Sequence, residues 1–318
     1  MAFEERNIST AVEGDADGRR LDLWLTARFT YRSRNQWQTI IREGKILVNG
    51  ASVRSSRVLH TGDVVAFIPD IEEPDVVMDY SIIYEDEYLF VVNKGGHLPC
   101  HPAGPFYRNT LWYDMSQKYG SVFIVNRLDR ETSGLMLAAR DSVTASNLSA
   151  MLMDDRLKKK YYALVFGNFN RRIEAGGRLV KDTASQVMKK RKFVMESDFK
   201  GDPAAAETAF TLLEPAAFDG RYSTVRAIPE TGRLHQIRAT LCSLGFPLLG
   251  DKLYGPDDTL YLKIADDLIT PEDWNSLVLK RQALHACYLG FPHPKSGELM
   301  EFESPIPEDM KVEPIISC

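Results

Sequence analysis

The sequence predicts an α+β protein of two unequal domains. A small N-terminal α/β module precedes a larger domain, a mostly antiparallel mixed β-sheet flanked by helices. Three observations carry this reading. At 318 residues the chain exceeds one average domain. Strand-like runs outnumber helical ones and do not alternate with them, which favours an antiparallel sheet over βαβ units. Charge is segregated as well: residues 19–60 hold nine basic side chains against two acidic ones, while the whole chain is at −5. That segment is therefore at +7 and the remainder at −12, the asymmetry of a basic module joined to a larger body.

The composition is that of an ordinary globular protein, 44% hydrophobic and 26% charged. No apolar run approaches the roughly 18 residues of a membrane helix, and the first residues lack a secretion-signal pattern. A cytoplasmic monomer without membrane association is the expectation. Cys100, Cys242, Cys287 and Cys318 are scattered, with no Cys-x-x-Cys pair. His97-Leu98-Pro99-Cys100-His101 is the one cluster of metal-ligand types. Nothing elsewhere completes a site, so no metal is expected and a pocket-lining loop is the better reading.

After an extension of residues 1–16, the module is placed at 17–68. Leu21, Leu25 and Phe29 recur at helical spacing. Ser33 with Gln36 forms a capping-box signature ahead of Trp37, Ile40 and Ile41. Gly44 ends that helix. Lys45 to Val48 then reads as a strand entering an Asn49-Gly50 turn, and residues 63–68 as a closing strand. Arg32 and Arg34 sit at a helix N-terminus, where free N–H groups favour phosphate. Together with Arg42, Lys45, Arg54 and Arg57 they are the expected RNA contacts.

Residues 69–80, acidic and proline-bearing, read as a linker. The large domain is placed at 81–307, with a tail at 308–318. Its strands are expected at 81–84, 88–93, 122–125, 135–139, 161–166, 208–213, 223–228, 284–291 and 299–302, and its helices at 109–119, 142–155 and 234–244. No Walker loop or dinucleotide glycine fingerprint occurs, so no nucleotide cofactor is expected.

Three segments carry candidate chemistry. Asn126-Arg127-Leu128-Asp129-Arg130-Glu131-Thr132-Ser133-Gly134 is a largely polar loop between two apolar strands, the setting in which a rigid scaffold presents functional groups. In Thr231-Gly232-Arg233-Leu234-His235-Gln236-Ile237-Arg238, an apolar stripe Leu234, Ile237, Leu241, Leu244 is flanked by Arg238. A buried arginine requires a carboxylate, and Asp129 is the candidate. Such pairing would hold Asp129 ionised. Third, Lys158-Lys159-Lys160-Tyr161-Tyr162 sets a basic run against aromatics, which suits base stacking and phosphate contact.

Arg-Leu-Asp-x-x-Thr-Ser-Gly, Lys-x-Tyr-x-Ala and Gly-Arg-x-His-Gln-Ile-Arg, in that order, resemble the RluA-type pseudouridine synthases over residues 82–307. Gly250-Asp251-Lys252-Leu253-Tyr254-Gly255 and Arg281-Gln282-Ala283-Leu284-His285-Ala286 extend the resemblance. The basic module resembles the S-four RNA-binding domain. The resemblance implies cofactor-free isomerisation of uridine in ribosomal or transfer RNA. It implies Asp129 as the catalytic aspartate attacking the sugar or the base, Tyr161 as the active-site tyrosine that stacks or accepts a proton, and Arg238 as the partner of the aspartate. Arg127 would fill the gap left by the flipped nucleotide, and Asn126, Leu128, Thr132, Arg233 and His235 would line the substrate site. Asn126, Lys94-Gly95-Gly96 and Thr240 depart from the family pattern without touching those three. Two other classes compete. An idle RNA-binding protein is disfavoured because Asp129, Tyr161 and Arg238 are all present. A retaining glycosidase would need Glu131 as a second carboxylate, but the flanking arginines fit RNA better than sugar.

Overall fold

A computed structural model describes residues 8–29, 33–67, 73–187, 189–266 and 268–311. Arg32, Cys318, most of the expected tail and residues 69–72 of the expected linker lie outside the described residues. The chain divides into two compact units, Met1–Asp75 with Pro102–Arg108, and Val76–His101 with Asn109–Cys318.

In the first unit, strand β1 (Ile8–Ala11) precedes helices α1 (Leu21–Arg28) and α2 (Arg34–Arg42). Strands β2 (Ile46–Val48), β3 (Ala51–Ser52) and β4 (Val64–Phe67) follow. The sheet order is β1-β4-β2-β3, antiparallel at every step. The capping box forms as expected: Ser33 Oγ accepts from Gln36 N, and Gln36 Oε1 from Ser33 N. Asn49 and Gly50 both take positive φ, 52° and 78°, closing the β2–β3 hairpin as a two-residue turn requires. Trp37, Leu21, Leu25, Ile41, Ile46 and Phe67 are buried together and give this small unit a core of its own. β1 lies within the expected N-terminal extension, for which no strand is expected. Its four residues show no alternation, and it exists because β4 offers a free edge.

One acidic side chain organises the basic surface of this unit. Asp22 is fully buried and accepts from Arg20 (3.0 Å), Arg34 (2.9 Å) and Gln38 (2.7 Å). Burial opposes its charge, but these bonds hold it far below the usual carboxylate range. Arg34 is thus also an internal tie. Lys45 pairs with Glu43 at 3.1 Å and Arg57 with Asp63 at 3.7 Å. Arg42 and Arg54 are exposed and form no ion pair with a described residue.

The second unit is built on strands β5 (Tyr80–Glu85), β6 (Leu89–Lys94), β7 (Phe123–Ile124), β8 (Ser133–Ala139), β9 (Lys158–Phe166), β10 (Ile173–Lys181), β11 (Arg191–Met195), β12 (Glu207–Phe218), β13 (Tyr222–Pro229), β14 (Leu284–Pro292) and β15 (Leu299–Glu303). Its helices are α3 (Leu111–Tyr119), α4 (Ser142–Met153), α5 (Gln236–Ser243), α6 (Thr259–Ala265) and α7 (Pro271–Leu277). The sheet runs β11-β10-β12-β13-β9-β14-β8-β6-β5, with β15 on β14 and β7 on β8. Every pairing is antiparallel except β14–β8, so the fold is the mostly antiparallel α+β sheet expected.

The central strands are covered on both faces. On β6 and β8, Phe90, Val92, Met136 and Ala138 join one cluster with residues of α3 and α5, whereas Leu89, Val91, Leu135 and Leu137 join another with α4. Period-two alternation between two apolar layers leaves no residue of β8 exposed. The parallel β8–β14 junction is tight. Gly134 has φ +111°, and a Cβ there would lie 2.2 Å from the Ala286 carbonyl oxygen, so no other residue fits. This junction fixes the C-terminal end of the polar loop.

Candidate active site

The loop between β7 and β8 is held by the groups around it. Asn126 is buried and its Oδ1 accepts Leu137 N at 2.6 Å. Leu128 packs into the core beside Tyr161. Thr132 N bonds to Asp129 O at 3.0 Å, closing a turn. The fully buried Lys94 ammonium donates to the carbonyls of Gly95, Leu98 and Arg130. Arg281 Nη1 donates to the Glu131 carbonyl at 3.0 Å, while its other nitrogens clasp Asp309. With the carbonyls of Asp129, Arg130 and Glu131 all held by hydrogen bonds, the loop presents Asp129, whose side chain is 27% exposed.

Asp129 and Arg238 meet as expected, through Arg238 Nη1 to Asp129 Oδ2 at 2.7 Å. A second carboxylate is also present. Asp251, fully buried, takes Arg238 Nε at 2.7 Å and Nη2 at 2.9 Å in a two-bonded fork. Backbone N–H groups of Leu253 and Tyr254 hold Asp251 in turn. Gly250 has φ +70°, and a Cβ there would lie 1.9 Å from the Arg281 carbonyl oxygen, which accounts for glycine before Asp251. The Arg238 guanidinium lies 4.9 Å from the Tyr254 ring centroid. Gln282 adds a bond to Asp129 Oδ2 at 3.2 Å and a second to Thr132 Oγ1 at 2.7 Å.

Both bonds to Asp129 end on Oδ2, and Oδ1 takes none from a described residue. One oxygen is therefore tied and the other open. Burial works against the charge on Asp129, yet Arg238, with help from Gln282, keeps its pKa below the usual carboxylate range. Tyr161 is 8% exposed, and its hydroxyl pKa is pushed up by burial and then by the charge of Asp129. The phenol is accordingly neutral near pH 7.

His235 is the residue before α5, in left-handed conformation at φ 55°. Its Nδ1 lies 3.1 Å from the Tyr254 hydroxyl, and burial lowers its pKa to about 4. Two details correct the sequence reading. Helix α5 begins at Gln236 rather than 234, and Leu234 is 46% exposed, outside the buried stripe of Ile237 and Leu241. The left-handed His235 breaks the helical path before Leu234 can join it. Arg233 is exposed, with Nε 3.4 Å from the Thr208 carbonyl. Among the expected substrate residues, Arg127 points to the exterior without an ion pair to a described residue, whereas Asn126, Leu128 and Thr132 face inward.

Glu131 is bound to the Lys252 ammonium at 2.8 Å. It also accepts from Gln282 N, so it belongs to the scaffold and does not serve as a second reacting carboxylate. Among the described residues no group of three potential metal ligands occurs. Residue types and spacing alone do not assign Asp251 or Gln282 to the site. The Gly-Asp-Lys-Leu-Tyr-Gly and Arg-Gln-Ala-Leu-His-Ala segments held the signal, since each places a polar side chain beside apolar positions.

Residues 88–243 match the RNA pseudouridylate synthase family, and residues 19–65 match the S4 domain. An uncharacterised RNA pseudouridine synthase of Bacillus subtilis is 34% identical over 320 residues, covering 95% of either chain. Ribosomal large subunit pseudouridine synthase D of Zymomonas mobilis is 32% identical, covering 93% of this chain and 92% of its own. Among solved structures, human RNA pseudouridylate synthase domain containing 1 matches with a TM-score of 0.55 at 23% identity, over 74% of this chain and 86% of that one, which is a likeness of fold.

Proposed function

Since the chain belongs to the RNA pseudouridylate synthase family, isomerases of uridine in RNA, and carries an S4 domain, we propose that it modifies ribosomal RNA with Asp129 as nucleophile. Isomerisation breaks the bond from C1′ to N1 of uracil and forms one from C1′ to C5; C5 loses its proton and N1 gains one. The observation that carries the assignment is the asymmetry of Asp129: Oδ2 is held by Arg238 and Gln282, and Oδ1 is open. A carboxylate kept ionised and oriented in this way can attack without prior loss of a proton.

Tyr161 acts through its ring. Its raised hydroxyl pKa makes it a poor base at neutral pH, which favours stacking on uracil over proton acceptance. Arg127, exposed on the loop two residues before Asp129, fills the place of the extruded nucleotide, offsetting part of the few kcal/mol that unstacking costs. Ribosomal RNA is favoured as substrate because several relatives covering more than nine-tenths of the chain are named for the large ribosomal subunit.

The test is Asp129→Asn. The variant should fold and bind RNA almost as the wild type does, because Arg238 keeps its fork to Asp251, but tritium release from RNA labelled at uracil C5 should vanish. Retention of a tenth of wild-type turnover would remove Asp129 from the role. Mapping pseudouridine in ribosomal RNA with and without the gene tests the substrate assignment.

A further inference from the structure

Three consecutive lysines at the start of β9 have different surroundings. Lys158 is exposed and paired with Asp155. Lys160 lies over the Tyr288 ring, 4.1 Å from its centroid. Lys159 is 8% exposed, yet its ammonium makes no hydrogen bond or ion pair with a described residue. Burial lowers its pKa, and the charge of Asp155 opposes that only in part. Its Nζ is not among the buried polar atoms that lack a partner, so the head of a mostly buried side chain reaches water. Such an arrangement makes sense where an anion arrives.

The position of Lys159 says which anion. Two residues before Tyr161 on the same strand, it shares that side chain's face of the sheet, roughly 7 Å away along β9. Its Nζ would lie 3.6 Å from a Cβ at Gly232, so it reaches the segment that leads into α5. There the backbone N–H groups of Gly232, Leu234 and His235 donate to no described residue. An ammonium without a protein partner thus lies beside a segment with free amides, on the strand face that carries Tyr161.

We propose that Lys159 and the backbone of residues 232–235 form the subsite for the phosphodiester next to the target uridine, an inference that rests on the reading of Tyr161 and Asp129 given above. Lysine suits the task as a compact charge without the directional fork of arginine, and the phosphate would supply the partner that the free protein lacks.

The test is binding of a decauridylate oligoribonucleotide across a salt series, with thermal midpoints for each variant. Lys159→Met should weaken binding and flatten the slope of log affinity against log salt by about 0.7, the value of one single-strand phosphate contact. Its thermal midpoint should equal or exceed that of wild type, because an unpaired charge is replaced by an apolar side chain of similar length. Lys159→Arg should keep the slope, and Lys158→Met should leave both slope and midpoint unchanged. An unaltered slope in Lys159→Met would overturn the proposal. So would a midpoint lowered by several degrees, since the ammonium would then already have a partner in the free protein. Binding is read without turnover, so failure here is distinguishable from failure of the Asp129 assignment in the tritium assay.

Discussion

Replacing Arg238 by leucine should damage stability and chemistry through two different carboxylates. Arg238 is 8% exposed and Asp251 is fully buried. Without the guanidinium, Asp251 keeps only its backbone donors from Leu253 and Tyr254, an uncompensated charge that costs roughly 3–5 kcal/mol. A domain with a total margin of roughly 5–15 kcal/mol would feel this as a drop in thermal midpoint of roughly 6–20 °C, taking about 2–4 °C per kcal/mol at this size. The partner variant separates the two effects. In Arg238→Leu with Asp251→Leu no buried charge is stranded, and stability should return to near or above wild type. Turnover should stay lost, because Asp129 is still without its partner. The pH profile of residual activity in the single variant supplies a third readout. In the wild type Arg238 outweighs burial and depresses the pKa of Asp129. Without it only the Gln282 bond is left to oppose burial, so the acid limb should move to higher pH. Differential scanning fluorimetry and single-turnover tritium release measure these quantities. A midpoint within about 2 °C of wild type in Arg238→Leu would refute the argument, as would a double variant no more stable than the single one.

Two further outcomes follow from the charges. His285 is 2% exposed, and burial lowers its pKa to about 4; its Nδ1 meets Ser133 Oγ at 2.9 Å. A histidine kept neutral in the folded state stabilises fully above its unfolded pKa of about 6.5 and loses that contribution as pH falls towards 4. Between pH 6.5 and 5 this amounts to about 2 kcal/mol, so urea midpoints should fall from pH 7 to pH 5, and less so in His285→Gln. Equal midpoints at the two pH values would sink the idea. In the first unit, Arg42→Gln with Arg54→Gln should flatten the salt dependence of RNA binding by about 1.4, since neither arginine is paired with a described residue. Arg34→Gln should instead lower the thermal midpoint, because Arg34 supports the buried Asp22; the reverse ranking would show that Arg34, rather than Arg42 and Arg54, meets the RNA.

Much of this architecture can be read in the sequence where local chemistry and tertiary structure agree. Ser33 and Gln36 cap α2, Asn49-Gly50 turns the hairpin, and the apolar runs of β6, β8 and β14 are strands. The polar loop and α5 could be paired from sequence because a buried arginine demands a carboxylate. What escaped is what pairing alone determines. β10 contains Gly176-Gly177, which interrupts any alternating pattern, and β11 opens with Arg191-Lys192; both are strands because β12 and β10 offer edges. Helix α7 does carry a start signal, Thr270-Pro271 with Asp273 closing a capping box, but its seven residues show too little periodicity to be read without it. The limit is clearest at Asp251. One-dimensional reasoning assigns one acceptor to one arginine, and nothing in the spacing shows that three of the guanidinium's nitrogens are shared between two carboxylates.

That sharing has an electrostatic consequence for a polyanionic substrate. Asp129, Arg238 and Asp251 together carry a net charge of −1 when all are ionised, and the chain outside residues 19–60 is strongly acidic. Asp251 fixes the guanidinium by two bonds and in doing so cancels the charge that would otherwise attract phosphate. An arginine serving both purposes would be drawn away from Asp129 by the RNA, loosening the nucleophile at the moment of binding. Dividing the tasks avoids this. Arg238 is saturated by protein carboxylates and orients Asp129, while Arg127 and Lys159, which have no ion pair with a described residue, are left to meet the RNA. On this argument Asp251→Asn should strengthen RNA binding at low salt, because a buried negative charge is removed, and yet lower turnover, because Arg238 is no longer held by its fork. Weaker binding together with unchanged turnover would show that Asp251 does not separate attraction from orientation.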